Sequence, residues 1–253
     1  MNTEYIDTLR KEYIENHKRE QIREELIHEN HVEKRDVIGY HGREILELLQ
    51  NADDAYQKSI DQGNRPSDDL IVEISYIDDC LKISNTGTFF DEDGIKAIVQ
   101  GNNSPKKGKY IGNKGTGFRS ILNWASSVRI FSGEFAVEFS RSYAKEIFDT
   151  IKETPQIAKQ LQREKTLYIP MLAVPRNIPH DRPIDRTTIE VDVDPKKSQD
   201  EYSVRKQLET IDLRILLFLP NVSEISITTD DKHVVYQRSK TDLLIESDFS
   251  WSD

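Results

Sequence analysis

The chain's 253 residues can bury a real core, as one large domain or as one domain with a partial second. Hydrophobic residues at 36% and charged residues at 32% describe a heavily solvated globular protein, with no apolar run near the roughly 18 residues that a membrane span needs. A formal net charge of −10 argues against a general nucleic-acid surface, the lone Cys80 excludes a disulfide framework or a cysteine-built zinc site, and the charged opening MNTEYIDTLRKEYIENHK has no apolar h-region, so a cytoplasmic setting is expected.

Residues 3–35 are rich in Glu, Lys, Arg and His, with a broken apolar stripe at Tyr5, Ile6, Leu9 and Tyr13, then Ile22, Leu26 and Ile27, which predicts one or two exposed amphipathic helices. A stronger helix is predicted from Gly42 through REILELLQNADDAYQKSI, stopping at QGNRPSDD. LIVEISYI and LKISN read as a hairpin turning near Asp78–Asp79, followed by a loop and a short helix from Asp91 to Gln100. Residues 101–117 hold five glycines and four lysines. FRSILNWAS reads as a compact helix, VRIFSG and EFAVEFS as strands, and 141–165 as helical. Pro170, Pro175, Pro179 and Pro183 impose an irregular connection. TTIEVDVD alternates as a strand; a helix over 201–218 stops at Pro220, and ISITTDDKHVVYQ forms a hairpin. The tail SKTDLLIESDFSWSD has no domain-closing logic, and further domains of the same polypeptide are expected to follow.

Glu47, Asn51 and Asp54 fall at i, i+4 and i+7 and so share one helix face, beside an apolar stripe of Ile45, Leu48, Ala52 and Ala55. Such a face is either solvated or chemical. An amide oxygen and a carboxylate suit magnesium, and a carboxylate one turn earlier can orient and deprotonate a water. The glycines favour the chemical reading. Gly112, Gly115 and Gly117 stand directly before a helix, where free backbone N–H groups and the helix dipole bind anions, with Lys106, Lys107, Lys109 and Lys114 adding charge. The spacing is neither that of a Walker A loop nor that of a Rossmann fingerprint. Ser84-Asn85-Thr86-Gly87 then follows a strand, where a short polar side chain and a glycine can meet the edge of a flat heterocycle.

In this order the three elements resemble the GHKL superfamily of gyrase B subunits, MutL, ninety-kilodalton heat-shock chaperones and histidine kinases. Glu47 to Ala55 resembles its N-box, Asn85-Thr86-Gly87 the next box with Asn in place of Asp, Gly112 to Phe118 the glycine hinge, and Thr187 the late strand threonine. The resemblance covers about residues 40–193. GREILELLQNADDA, NNSPKK, IGNKGTGFRSIL and RILLFLPNVSEISI look most like the sacsin-type, chaperone-like ATPase domains, many of which belong to bacterial DNA or antiviral defence proteins.

The resemblance implies a Bergerat-type α/β (α+β) two-layer sandwich, a mixed and largely antiparallel sheet with helices on one face, and ATP with Mg2+ as cofactors. It implies Glu47 as general base, Asn51 as magnesium ligand, and Asp54 as support for the water network. Asn85 would contact the adenine amine, Gly87 would admit the base, and Thr187 would join the network at Asn85. Lys106, Gly112, Gly115, Thr116, Gly117 and Phe118 would serve the phosphates. Asn85 departs from the pattern: its oxygen accepts from N6, whereas its NH2 repels that donor.

The expected organisation is a helical extension at 1–36, an ATP-binding domain at 37–195, and a helix plus hairpin at 196–253 opening a following segment. The expected function is ATP hydrolysis, slow in the isolated domain, driving conformational change in a larger protein. A non-hydrolysing nucleotide sensor and an interaction scaffold with a decayed site are the alternatives. Residues 88–114 are expected to close over the triphosphate and promote a homodimer, with 1–36 docking either on a partner subunit or against their own domain. His28 and His31 receive no role.

Overall fold

The computed structural model describes residues 2–19, 21–39, 41–64, 66, 68–100, 117–162, 164, 166–180, 184–197 and 199–238. In chain order these form α1 (Thr3–Asn16), α2 (Ile22–Gly39), α3 (Glu44–Asp61), β1 (Leu70–Ile77), β2 (Cys80–Asn85), α4 (Glu92–Gln100), a 3-10 turn (Gly117–Asn123), β3 (Ala125–Ser132) and β4 (Phe135–Ser140). They continue as α5 (Arg141–Lys152), α6 (Pro155–Leu161), a 3-10 turn (Met171–Ala173), β5 (Arg176–Asn177), β6 (Thr187–Val193), α7 (Val204–Thr210), a 3-10 turn (Leu213–Phe218), β7 (Val222–Thr229) and β8 (His233–Gln237). All eight strands join one sheet in the order β5-β4-β3-β6-β2-β1-β7-β8, in which β1–β7 is the parallel pair and the other pairings are antiparallel. The architecture is the α+β sandwich with a mixed, mostly antiparallel sheet.

Alternation along the strands gives the sheet two faces. Val72, Ile74, Leu81, Ile83, Val191, Val128, Ile130 and Val137 are buried in one core with Ile45, Leu48 and Leu49 of α3 and Ile95 of α4. The opposite face carries ion pairs: Arg129 bridges Glu190 (3.0 Å) and Asp192 (2.8 Å), Lys82 reaches Glu190 (3.6 Å), and Arg186 pairs with Glu73 (3.0 Å). The helices therefore lie on the apolar side. The β1–β2 turn places Asp78 and Asp79 at φ 50° and 55°, the twist that suits a tight hairpin, and Tyr76 Oη donates to Asp79 Oδ1 at 2.7 Å.

Four elements differ from the sequence expectation. FRSILNWAS is a 3-10 turn ending at Asn123, because Asn123 Nδ2 is drawn to Val37 O (3.1 Å) and Glu44 Oε1 (2.8 Å) and β3 already begins at Ala125. The helix over 141–165 divides at Pro155, whose missing N–H is tolerated in the first turn of α6. The helix over 201–218 ends at Thr210, because Asp212 caps a new 3-10 turn by accepting from Arg214 N at 2.9 Å. The proline-rich stretch yields the short edge strand β5, tied to α1 by Asn177 Nδ2 bonds to Thr3 O (3.0 Å) and Asp7 Oδ1 (3.1 Å).

The N-terminal helices bury more than their thin stripe suggests. Ile6 and Leu9 of α1 enter the main core, while Ile22 and Leu26 of α2 pack with Tyr143, Ile147, Ile157 and Leu161 of α5 and α6. Both helices thus lie against the body of their own chain. The sheet also runs across the expected boundary at 195/196, since β7 pairs in parallel with β1 and carries β8 at its outer edge. Among the described residues, no helix is long and apolar enough to cross a membrane.

Candidate functional site

Helix α3 is pinned at two points along its length. At its start Glu44, fully buried, accepts from Gln207 Nε2 (2.5 Å) and Asn123 Nδ2 (2.8 Å), with His41 Nδ1 at 3.2 Å. At mid-helix Asp53 takes both Asn221 N (2.8 Å) and Asn221 Nδ2 (3.0 Å), which fixes the helix against the entry to β7. Buried carboxylates held by several donors act as rigid anchors. The apolar side of α3 runs through Ile45, Leu48, Leu49 and Tyr56, while Ala52 and Ala55, expected in that stripe, are half-buried.

Glu47 and Asn51 lie between the anchors, and Asp54 directly follows the second. Glu47 is buried, with Arg43 Nη2 3.3 Å from its Oε1. Burial pushes its carboxyl above the ordinary value, Asp54 adds to that rise, and Arg43 opposes it. Asp54 is also buried, and Asn51 is half-buried one turn after Glu47. Gly117 closes over Glu47: a Cβ built there would overlap Oε2 and lie 3.2 Å from the carboxyl carbon. A side chain at the end of the hinge motif would therefore displace the Glu47 carboxylate. Phe118, the next residue, places its side chain in the core.

The second half of the site lies at the ends of β2 and β6, where Asn85 is the register partner of Thr187 and Ser84 of Thr188. Asn85, buried, donates through Nδ2 to Thr86 O at 2.8 Å. That bond orients the amide and leaves Oδ1 as the atom available to accept. Thr187 Oγ1 lies 2.6 Å from Ser132 Oγ and donates to Thr88 O at 3.3 Å, while Phe90 N donates to Ser132 Oγ at 2.8 Å. The donors therefore run in one direction, Phe90 to Ser132 to Thr187 to Thr88. Thr88 Oγ1 is buried without a hydrogen-bond partner among the described residues. Gly87 adopts φ +99°, and a Cβ there would lie 2.9 Å from the Tyr56 ring, so the turn after β2 rests on α3.

The structure thus brings Glu47 to Gly117, Asn85 to Thr187, and Gly87 to α3. Thr187 bonds the Ser132–Thr88 chain rather than the Asn85 amide. Lys106, Gly112, Gly115 and Thr116 lie outside the described residues, as do Lys107, Lys109 and Lys114. No protein-family model matches the chain, and no curated protein matches it.

Sequence reasoning missed Arg43, Glu44, Asp53, Tyr56 and Ser132. Arg43 stood at i−4 from Glu47 and was readable as an ion pair. The partners of Glu44 and Asp53 are far along the chain, and no local pattern signals them. Among the described residues, no group of three or more His, Cys, Asp or Glu gathers to hold a metal ion.

Proposed function

We propose that this chain is a magnesium-dependent ATP-binding and ATP-hydrolysing module of the GHKL type. The observation that carries the reading is the closure of Gly117 on the buried carboxylate of Glu47, because it joins the carboxylate stripe to the glycine motif. Residues expected to serve water activation and phosphate binding therefore meet at one point. Asn51 would hold the magnesium ion through its amide oxygen, and the ion would neutralise charge on the transferred phosphoryl group.

Glu47 acts as general base. Its carboxylate takes a proton from water as the water oxygen bonds the γ-phosphorus and the bond to the ADP oxygen breaks. Burial raises its proton affinity, which suits a base working near neutral pH. Asn85 Oδ1 accepts from an exocyclic amine, and the Thr86 bond to Nδ2 turns the donor that would repel that amine aside. The hydroxyl chain of Ser132 and Thr187 stiffens the floor beside it. Downstream domains, a client and a nucleotide-dependent homodimer belong to the same proposal.

A second reading is a nucleotide sensor without turnover. Arg43 favours it, since its guanidinium holds Glu47 in an ion pair at 3.3 Å and weakens it as a base. Calorimetry with magnesium-ATP and phosphate release, measured on wild type, Asn51→Ala and Glu47→Ala, tests both readings. Hydrolysis predicts weakened binding in Asn51→Ala, and in Glu47→Ala near-normal binding with turnover down by about 10²–10⁴-fold. Binding with no turnover in the wild type would leave the sensor, and unchanged affinity in Asn51→Ala would remove the metal assignment.

A further inference from the structure

The 3-10 turn that carries Gly117 also carries Arg119, which is 5% exposed and points back into the protein. Its Nη2 donates to Ile98 O (3.0 Å) and Val99 O (3.3 Å), carbonyls of the last turn of α4. A guanidinium there meets the negative end of the helix dipole. Two acids of α2, Glu33 and Asp36, each 5% exposed, supply opposing charge from the other side. Glu33 Oε2, Asp36 Oδ2 and Arg119 Nε are all buried without a hydrogen-bond partner among the described residues.

An arginine removed from water is costly unless its charge is compensated, and an apolar residue would fill the same volume at less cost. This arginine sits two residues after the glycine that covers Glu47, and it bonds a helix end from a separate part of the chain. We infer that Arg119 is a positioning residue for Glu47: braced by Glu33 and Asp36, it locks the Gly117 turn to the end of α4 and so holds Gly117 against the carboxylate. The N-terminal helix α2 is then a structural part of the site, because it carries the counter-charge for this clamp. The clamp follows from the Arg119 bonds to Ile98 O and Val99 O together with the buried charge on α2, while its effect on rate rests on the ATPase reading above.

The test uses the full chain with Arg119→Met, Arg119→Lys and the pair Glu33→Gln with Asp36→Asn. Native-state hydrogen exchange reports amides 95–100 and 117–123 against those of β3 and β6. Arg119→Met should lose roughly tenfold or more protection in both segments while the strands keep theirs. Arg119→Lys should recover part of that loss, and the acid pair should reproduce it in part. If Arg119→Met does not fold, the lysine and acid-pair variants carry the same comparison. In turnover, a base displaced by about 1 Å should cost roughly 10²-fold in kcat with nucleotide affinity little changed. In a Glu47→Gln background, Arg119→Met should slow the residual rate no further, because both act through one group. Unchanged protection at 117–123, an even loss across the strands, or full additivity with Glu47→Gln would each overturn the inference. A wild type that hydrolyses nothing while the exchange pattern follows expectation would sink the ATPase reading and leave the clamp standing.

Discussion

Gly117 lies so close to Glu47 that a Cβ built on the glycine would overlap the carboxylate oxygen, so a side chain there requires Glu47 to shift. Gly117→Ala should therefore push Glu47 off its position. A change of this kind in a packed site destabilises by about 1–3 kcal/mol. It should also lower turnover roughly 10²-fold, as misplacement by about 1 Å does. Gly39→Ala is the control, since nothing lies within 4 Å of a Cβ at that glycine. Urea unfolding and phosphate release on both variants decide it; two alanines that behave alike would show that the Gly117 contact yields freely.

Asn85 should read an amino edge. Nδ2 is occupied by Thr86 O, so Oδ1 is the group offered to a ligand. ATP should bind more tightly than GTP, whose oxo group would face that oxygen. Asn85→Leu should weaken ATP binding by about 1–3 kcal/mol, the usual penalty for an unmade buried hydrogen bond. Asn85→Asp keeps an acceptor and should keep the preference for adenine. Calorimetry with both nucleotides is the measurement, and equal affinities in the wild type would remove Asn85 from base recognition.

Much of this architecture could be read in the sequence, and what could not has a common cause. The β1–β2 hairpin and α3 were legible because alternation, 3.6-residue periodicity and turn residues are local. The face of β7 was legible too, but alternation does not name a partner strand, and its parallel pairing with β1 was not. Both Glu47 and Gly117 stood out by motif, whereas their contact depends on how the 3-10 turn packs on α3. Nothing local to Arg119 signals its burial, because the acids and carbonyls around it lie on α2 and α4.

His17 makes the elbow between α1 and α2 sensitive to pH. Its Nδ1 lies 2.8 Å from Tyr13 O and its Nε2 3.0 Å from Glu29 Oε1, so both ring nitrogens face acceptors and the imidazolium fits best. Burial alone would lower its pKa; Glu29, the Tyr13 carbonyl and Glu25 outweigh that and hold it above 6.5. A histidine raised in the folded state contributes stability below its unfolded pKa and loses it as pH climbs through the folded value. The stability difference between wild type and His17→Gln should thus shrink in urea titrations as pH rises above the ordinary 6.5 and through the raised folded value. A constant difference across that range would mean the ring is neutral in the fold.

On the ATPase reading, the groups around Glu47 set the pH dependence of turnover, each with its own direction. Burial raises the carboxyl above the ordinary 4.5, Arg43 pulls it down, and Asp54 lifts it. The acid limb of kcat, which falls as the base takes up its proton, should lie above that ordinary value. Arg43→Met removes the stabilising cation and should shift the limb to higher pH; Asp54→Asn removes a repelling carboxylate and should shift it lower. Because the folded value exceeds the unfolded one, Glu47 favours the fold below about pH 4.5, and this contribution is lost as pH rises through the folded value. Glu47→Gln, which keeps the shape and carries no charge, should therefore be as stable as wild type or slightly more so near pH 7 while losing turnover. Steady-state profiles of the three variants, with thermal melts of Glu47→Gln, give the answer. If Arg43→Met and Asp54→Asn moved the limb in the same direction, the carboxyl titrating in catalysis would not be that of Glu47.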